Sequence, residues 1–567
     1  VSRPWLEHYD ASVPRSIATY PAKSLVDVVR ERARSEPDAA AIVFKGRHMS
    51  IAELDGDSDA LAHSFAGLGI RPGERVAMVI PNAPQFVTSL FAAWKLGAIA
   101  APQNLMYTDR ELEESLRVSE PQTIITLTPF YEKVKRCQKA LGIRRVIATN
   151  IKEYFPPALR LLFTLFKEKS AGHRITLRDG DLWLSDLKRQ GEGKGAFPSQ
   201  AKPDSECLIL MSGGTTGTPK GVVSDHRSLV ISGTQIAAWL REPLADGDAI
   251  MLPLPLFHSY GAAAVLPSTL LAPVPLILVP NPRDIDDVLK TIARDKPSVF
   301  CGVPALFNAI LASPRVAAGK VDFRSLKGAF SGAAPLLAET KARFEQITRG
   351  RIIEGYSLTE ALLAACVNPY AGPNKIGSVG MPLPDVEVRI VDADDPSKEL
   401  ASGETGEIVI KAPQIMRRYW NNPEETEAIL RREPDGSRSL LTGDLGYLDA
   451  DGYLFITDRK KDLIKTSGYQ VWPREIEEVI ARHPAVAEVG VAGVPDRRKG
   501  EVVMAWVVPV AGKALTGDEL REFCRDQLAH YKIPARVEIR KDLPKTLVGK
   551  VLRRALVAEA TAQMAGA

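Results

Sequence analysis

The chain has 567 residues, too many for one simple core, so at least two domains are expected. With 45% hydrophobic and 25% charged residues it reads as a globular enzyme rather than a disordered or fibrous chain. A net charge of +4, with no basic block interleaved with aromatics, gives no ground for a nucleic-acid partner. The five cysteines, Cys137, Cys207, Cys301, Cys366 and Cys524, follow no metal-ligand spacing, and so odd and sparse a set points to free thiols in a reducing, cytoplasmic setting. No secretory signal is read at the N-terminus, and no apolar run approaches the ~20 residues that span a bilayer.

In chain order, Ser24-Leu25-Val26-Asp27-Val28-Val29 opens an amphipathic helix. Val76–Ile80 reads as a buried strand stopped by Pro81-Asn82, and Asp109-Arg110-Glu111-Leu112 begins a helix with acids in its first turn. Within residues 154–169 an apolar run, Leu161-Leu162-Phe163-Thr164-Leu165-Phe166, is flanked by Arg160, Lys167 and Lys169. It fits either a helix lying in a membrane interface, anchored by Phe163, Leu165 and Phe166, or a helix packed on its own domain. Strand-like runs follow at Leu208–Met211, Ala249–Leu252, Leu276–Val279 and Ser298–Phe300, and their alternation with helices predicts α/β layers with largely parallel sheets. Around Glu387–Val391 and Gly406–Ile410 helices thin out, and strict alternation predicts a small antiparallel sheet or barrel. A charged run, Asp458–Asp462, sets the expected boundary: a large domain over 1–460 and a smaller α+β domain over 461–567, with a helix from Pro473 and strands at Glu488–Val494 and Val502–Val508.

The most telling stretch is Ser212-Gly213-Gly214-Thr215-Thr216-Gly217-Thr218-Pro219-Lys220-Gly221. Backbone N–H groups, hydroxyls and one ammonium on a short loop after a strand suit a polyphosphate. It is not the P-loop pattern, since Pro219 precedes the lysine and Gly221 follows it. The loop resembles the phosphate-binding signature of the adenylate-forming enzymes, the superfamily of acyl-CoA synthetases, luciferases and peptide-synthetase adenylation domains. Four further segments carry the resemblance in the same order: Glu354-Gly355-Tyr356-Ser357-Leu358-Thr359-Glu360, Thr442-Gly443-Asp444, Asp458–Lys465, and Pro544-Lys545-Thr546-Leu547-Val548-Gly549-Lys550. Together they cover almost the whole chain, from Pro4 to Arg554.

The resemblance implies an ATP-dependent enzyme with magnesium and a domain that moves between two half-reactions. It places Ser212 to Thr218 and Lys220 on the β- and γ-phosphates, with Gly332, Ala333, Ala334, Gly355 and Ser357 among the other nucleotide-binding residues. Tyr356 would stack on adenine, Thr359 would donate to the α-phosphate, and Glu360 with Thr216 would hold magnesium. Asp444 would accept the ribose hydroxyls beside Arg459. Lys461 would be the hinge, Lys550 would bridge carboxylate and α-phosphate, and Lys465 with Gly468 would serve the second half-reaction. His258, in Pro255-Leu256-Phe257-His258, would stand beside the acyl carboxylate. The family usually has glycine where this chain has Ser357.

Pro4-Trp5-Leu6, Met106–Glu113 and Asn281-Pro282-Arg283-Asp284 look most like bacterial long-chain fatty acyl-CoA ligases, which makes a fatty acid and coenzyme A the expected partners. A fatty acyl-AMP ligase, a ligase for medium-chain, dicarboxylic or aromatic acids, and a membrane-docked acyl-binding protein without catalysis stay open. So do a homodimer and a peripheral contact with the inner face of a membrane.

Overall fold

In the computed structural model every residue is described except 1–2, 213–218, 243, 246, 363–364, 461, 467–468, 497–499, 511, 547–548, 550 and 566–567. The large N-terminal part is built on three sheets. The first has nine strands, and six of them, Ala40–Phe44, Leu276–Leu278, Ile250–Leu252, Val299–Gly302, Gly328–Ser331 and Arg351–Tyr356, lie side by side and parallel. The second has eight, with Arg75–Val79 between Ile99–Pro102 and Thr123–Leu127, again parallel. Strands covered on both faces must be apolar along their length, as Val76, Ala77, Met78 and Val79 are. The expected strand at Val76–Ile80 starts one residue earlier and ends one earlier, because Ile80 already leaves the ladder ahead of Pro81. The third sheet is antiparallel and five-stranded, and holds Glu387–Val391, Gly406–Lys411 and Arg438–Leu448 with Leu430–Arg432 and Leu454–Arg459.

Helix starts follow their local chemistry. Ser24 caps Leu25–Ser35, and the Asp27 carboxylate accepts in return from the Ser24 N–H; Thr108 and Glu111 do the same for Asp109–Ser119.

Residues 464–565 form a separate small domain. Its sheet runs Tyr469–Val471, Ile464–Thr466, Gly500–Pro509 and Val486–Asp496, with Arg536–Ile539 parallel to Gly500–Pro509. Along Gly500–Pro509 the period of two divides the domain into two cores. Val503, Ala505 and Val507 join one with Ile476 and Leu520, while Val502, Met504 and Trp506 join another with Leu543 and Leu556.

The apolar run at 161–166 divides between its two sequence readings. The helix Pro157–Phe166 sets Leu159 and Phe163 against the main core. The Phe163 ring meets Phe155 and His173 edge-on at 5.4 and 5.3 Å. Phe163 is therefore a packing residue and not a surface anchor. Leu161, Leu162, Leu165 and Phe166 remain 53–72% exposed.

Candidate active site

Parallel register places the carboxyl ends of neighbouring strands together, and the loops that follow share one crevice. Ser331 pairs with Glu354, so Gly332-Ala333-Ala334 emerges beside Gly355-Tyr356. A Cβ on Gly332 would lie 3.5 Å from the Tyr260 ring and 3.7 Å from the Gly355 carbonyl, in ordinary van der Waals contact with both, which puts Gly332 beside these two groups at the rim. Ala333 takes a left-handed φ of 66°, uncommon for a residue with a Cβ, and so turns the chain sharply across the crevice.

His258 reaches the same edge from Ile250–Leu252. The amide of Asn82, buried in the neighbouring sheet, fixes that approach. It donates to the Leu252 and Leu254 carbonyls at 3.0 and 2.8 Å and accepts from the Leu256 N–H at 2.8 Å. Nδ1 of His258 accepts from the Tyr260 N–H at 3.2 Å, and a π-helical turn over Tyr260–Val265 follows. Loss of hydration lowers the His258 pKa to about 4, so the imidazole is neutral at physiological pH.

Ser212 and Lys220 face each other across the hairpin of Glu206–Ser212 and Lys220–Asp225. The tip between them, with Gly213, Gly214, Thr215, Thr216, Gly217 and Thr218, lies outside the described residues. Lys220 Nζ is 2.6 Å from Glu425 and 5.2 Å above the Tyr419 ring. The Tyr419 hydroxyl donates at 2.6 Å to Glu360 Oε1. Burial and the Glu360 charge keep that phenol protonated. Glu360 sits in a single 3-10 turn, Thr359–Ala361, and is buried. Among the described residues no donor reaches its other oxygen. One carboxylate oxygen oriented and one left over fits a hard divalent cation, and no group of three His, Cys, Asp or Glu side chains among the described residues would hold one unaided.

Tyr356, Asp444 and Arg459 form a second unit. Asp444 and Arg459 are cross-strand partners. Arg459 Nε lies 2.9 Å from Asp444 Oδ1, and the Tyr356 hydroxyl donates to Oδ2 at 2.7 Å. Gly443, at φ 69°, turns the strand there while its N–H donates to Glu407 at 3.1 Å. The aspartate, nearly buried, thus stands at the crevice with its direction fixed by an aromatic hydroxyl and a guanidinium.

The small domain reaches this crevice. Lys545 pairs with Val551, and Gly549, at φ 75°, lies against Ala305: a Cβ there would lie 2.7 Å from the Ala305 Cβ. Ala305 follows Val299–Gly302 in the same row of strand ends. Lys550 itself lies outside the described residues, as do Lys461 and Gly468. Lys465 is exposed, with its N–H donating to Glu501 at 2.8 Å.

Four functional groups were not legible as such in the sequence: Asn82, Tyr419, Glu425 and Arg553. Arg553 binds Glu477 in a fork at 2.7 and 3.1 Å, Asp462 at 2.9 Å, and the deeply buried Asp458 at 3.5 Å. The second Asp458 oxygen accepts from the Arg474 N–H at 2.9 Å. Since Asp458 is the penultimate residue of Leu454–Arg459, the last strand of the large part, one arginine of the small domain holds both sides of the linker. Glu354, at the end of Arg351–Tyr356, is raised by burial to about 7 against the pull of Lys341.

Comparison with known proteins agrees with this geometry. Residues 29–420 match the AMP-binding enzyme family, and residues 475–550 match the AMP-binding enzyme C-terminal domain. Long-chain-fatty-acid--CoA ligase of Bacillus subtilis is 36% identical over 560 residues, 99% of this chain and 98% of that protein. The Salmonella typhimurium protein of the same name is 35% identical over 564 residues, 98% of each. Among solved structures, ATP-bound MatB from Rhodopseudomonas palustris superposes with a TM-score of 0.78 at 29% identity, covering 94% of this chain and 98% of that one. The chain belongs to the AMP-binding, adenylate-forming family.

Two outcomes follow from the geometry. Arg553→Ala leaves Asp458 buried without its guanidinium and should loosen the linker, so trypsin should cut at Lys460-Lys461 about tenfold faster or more. Unchanged cleavage would show that the cluster holds nothing. The His258 imidazole, followed by NMR, should titrate near pH 4. A folded-state pKa below the unfolded value of about 6.5 means that protonation opposes folding, so His258 costs stability as pH falls through that window and costs none above it. A midpoint between 6 and 7 would contradict the desolvated site.

Proposed function

We propose that this protein is an AMP-forming acid–thiol ligase that activates a long-chain fatty acid with ATP and transfers it to coenzyme A. The observation that carries the reading is the convergence of Tyr356–Asp444–Arg459 and Lys220–Tyr419–Glu360 on one row of strand ends, beneath a small domain that reaches the same crevice. The first unit offers a ribose acceptor next to an aromatic face. The second offers a cation and an oriented carboxylate where a polyphosphate would end.

A carboxylate is a poor electrophile because its charge repels nucleophiles. One of its oxygens attacks the α-phosphorus of ATP, the bond to the β-phosphate oxygen breaks, and pyrophosphate leaves. The acyl carbonyl is then neutral and activated. The coenzyme A thiolate attacks it, the carbonyl carbon–oxygen bond breaks, and AMP leaves with the oxygen that came from the acid. Glu360 and Thr216 would hold magnesium, which when bound would supply charge neutralisation at the phosphates. Tyr419 keeps Glu360 aimed, and Lys220 stands over Tyr419 to meet phosphate charge. Thr359 serves the α-phosphate, Gly332, Ala333, Ala334, Gly355 and Ser357 line the nucleotide, and Gly213, Gly214, Thr215, Gly217 and Thr218 complete the cradle with Ser212. His258, neutral and with Nδ1 accepting from the Tyr260 N–H, places an uncharged Nε2–H donor beside the acyl carboxylate without fixing it as an ion pair.

Lys550 bridges the carboxylate and α-phosphate in the first half-reaction; the seat of Gly549 against Ala305 supports this. Lys550 and an incoming thiol need the same space, so the small domain turns between the half-reactions; by its place in the charged run Asp458–Asp462, Lys461 is the boundary and the hinge, and rotation there brings Lys465 and Gly468 inward for thioester formation. Five buried, unpaired cysteines favour a reducing, cytoplasmic setting.

A panel of octanoate, palmitate, ferulate and a dicarboxylate, scored for AMP release with and without coenzyme A, tests the reading. Palmitate should turn over fastest, and sustained AMP release should require the thiol. Turnover confined to ferulate or the dicarboxylate, or adenylate made but never passed to coenzyme A, would overturn it. Lys550→Ala should slow adenylation by roughly 10²-fold or more while sparing thioester formation from supplied acyl adenylate. Equal loss in both half-reactions would refute its role.

A further inference from the structure

The helix Pro157–Phe166 has no fully buried residue. Of the eleven large hydrophobic side chains left exposed among the described residues, four stand on it: Leu161, Leu162, Leu165 and Phe166. They make two adjacent pairs four residues apart, Leu161 with Leu165 and Leu162 with Phe166, and so form one continuous face. Leu159 and Phe163 hold the helix to the main core, so this face is presented on a fixed support.

The charges around it are sorted by sign. Arg160, Lys167, Lys169 and Arg174 are all exposed and none forms an ion pair with a carboxylate among the described residues, although Arg160 stands near enough to Glu153 to favour its charged form. The two acids of the segment point inward. Glu153 accepts from the Asn150 N–H and the Thr149 hydroxyl at 2.7 and 2.9 Å, and Glu168 is buried against Lys152 and Asn150 at 2.6 and 2.9 Å. An exposed apolar face on a segment that turns its cations outward and bonds its acids inward is the complement of one surface, an anionic bilayer, whose acyl region takes the leucines and phenylalanine while its headgroups take the cations. A second copy of the chain fits poorly, because a twofold pairing on this face would set the same cations against each other. Among the described residues no helix is long and apolar enough to cross a membrane, so the contact is a shallow one.

We propose that the face of Leu161, Leu162, Leu165 and Phe166, with Arg160, Lys167, Lys169 and Arg174, docks this protein on an anionic phospholipid bilayer. The purpose, though not the binding, rests on the ligase reading. Each methylene of a fatty acid favours the bilayer over water about fourfold, so a docked enzyme works where a long-chain substrate collects.

The test is cosedimentation of the full chain with phosphatidylcholine vesicles and with vesicles containing phosphatidylglycerol. The wild-type protein should bind the anionic vesicles at least tenfold more tightly, at about fivefold per engaged cation. The preference should fade as salt shortens the Debye length from about 10 Å to about 3 Å. The variant Leu161→Ser, Leu165→Ser, Phe166→Ser, and separately the variant Arg160→Ser, Lys167→Ser, Lys169→Ser, Arg174→Ser, should each lose tenfold or more in binding, with melting temperature and octanoate turnover unchanged. Absence of an anionic preference, or binding unaffected in both variants, would overturn the proposal. So would an apolar variant that abolishes self-association while vesicle binding persists. A wild-type protein that binds vesicles but turns over no acid would defeat the ligase reading and leave the docking face standing.

Discussion

The rest of the site depends on the parallel register of three strands, Val299–Gly302, Gly328–Ser331 and Arg351–Tyr356. Parallel pairing sends each chain out at the same edge, so segments separated by tens of residues in sequence begin their loops side by side. That edge receives Ala305, Gly332-Ala333-Ala334 and Gly355-Tyr356 within one crevice, and Ile250–Leu252 adds His258 beyond them. Phe300, Ile352 and Ile353 are fully buried, and on these three strands the polar groups gather at the last residues and just past them, as with Ser331, Glu354 and Tyr356. A shift of one residue in any of these pairings would turn the strand's inward side chains to the other face and move its loop away from its neighbours.

Two polar units then complete what the sheet edge begins, and each is oriented by groups from elsewhere in the chain. Asp444 comes from the antiparallel sheet and is aimed by Tyr356 from the parallel one, so this side of the crevice is a joint between sheets. Glu360 is aimed by Tyr419, whose strand Arg418–Tyr419 pairs with Lys220–Asp225. Lys220, Tyr419 and Glu360 are therefore tied to one another by direct contact. The small domain is held by a different kind of contact: the ionic cluster of Arg553 with Asp458, Asp462 and Glu477 is a charged latch at the linker rather than a broad apolar interface. Such a contact is specific in geometry yet separable, which suits a domain required in two positions.

Much of this was legible in the sequence where the cause is local. Ser24 and Thr108 announce helix starts through capping, and the apolar runs at Leu208–Met211 and Leu276–Val279 announce buried strands. The motif residues Tyr356, Glu360, Asp444 and Arg459 were assigned to the nucleotide site, and the structure brings Tyr356, Asp444 and Arg459 into direct contact. What stayed hidden is non-local. Asn82 reads as a strand stop, yet its amide makes three bonds to a segment about 170 residues away. Tyr419 reads as one aromatic in Arg418-Tyr419-Trp420, and only the fold puts it on Glu360. Arg553 looks like one more basic residue of a C-terminal helix. The run at 161–166 was ambiguous because spacing alone does not say which side of a short helix is covered, and the answer divides Phe163 from its neighbours.

The central claim is that the acid is joined through its own oxygen to the α-phosphorus before the thiol attacks. Palmitate labelled with oxygen-18 in its carboxylate, turned over with ATP and coenzyme A, tests this directly. The account predicts that each AMP released carries one labelled oxygen on its phosphate and that the pyrophosphate carries none. AMP without label, or label appearing in inorganic phosphate or pyrophosphate, would contradict it.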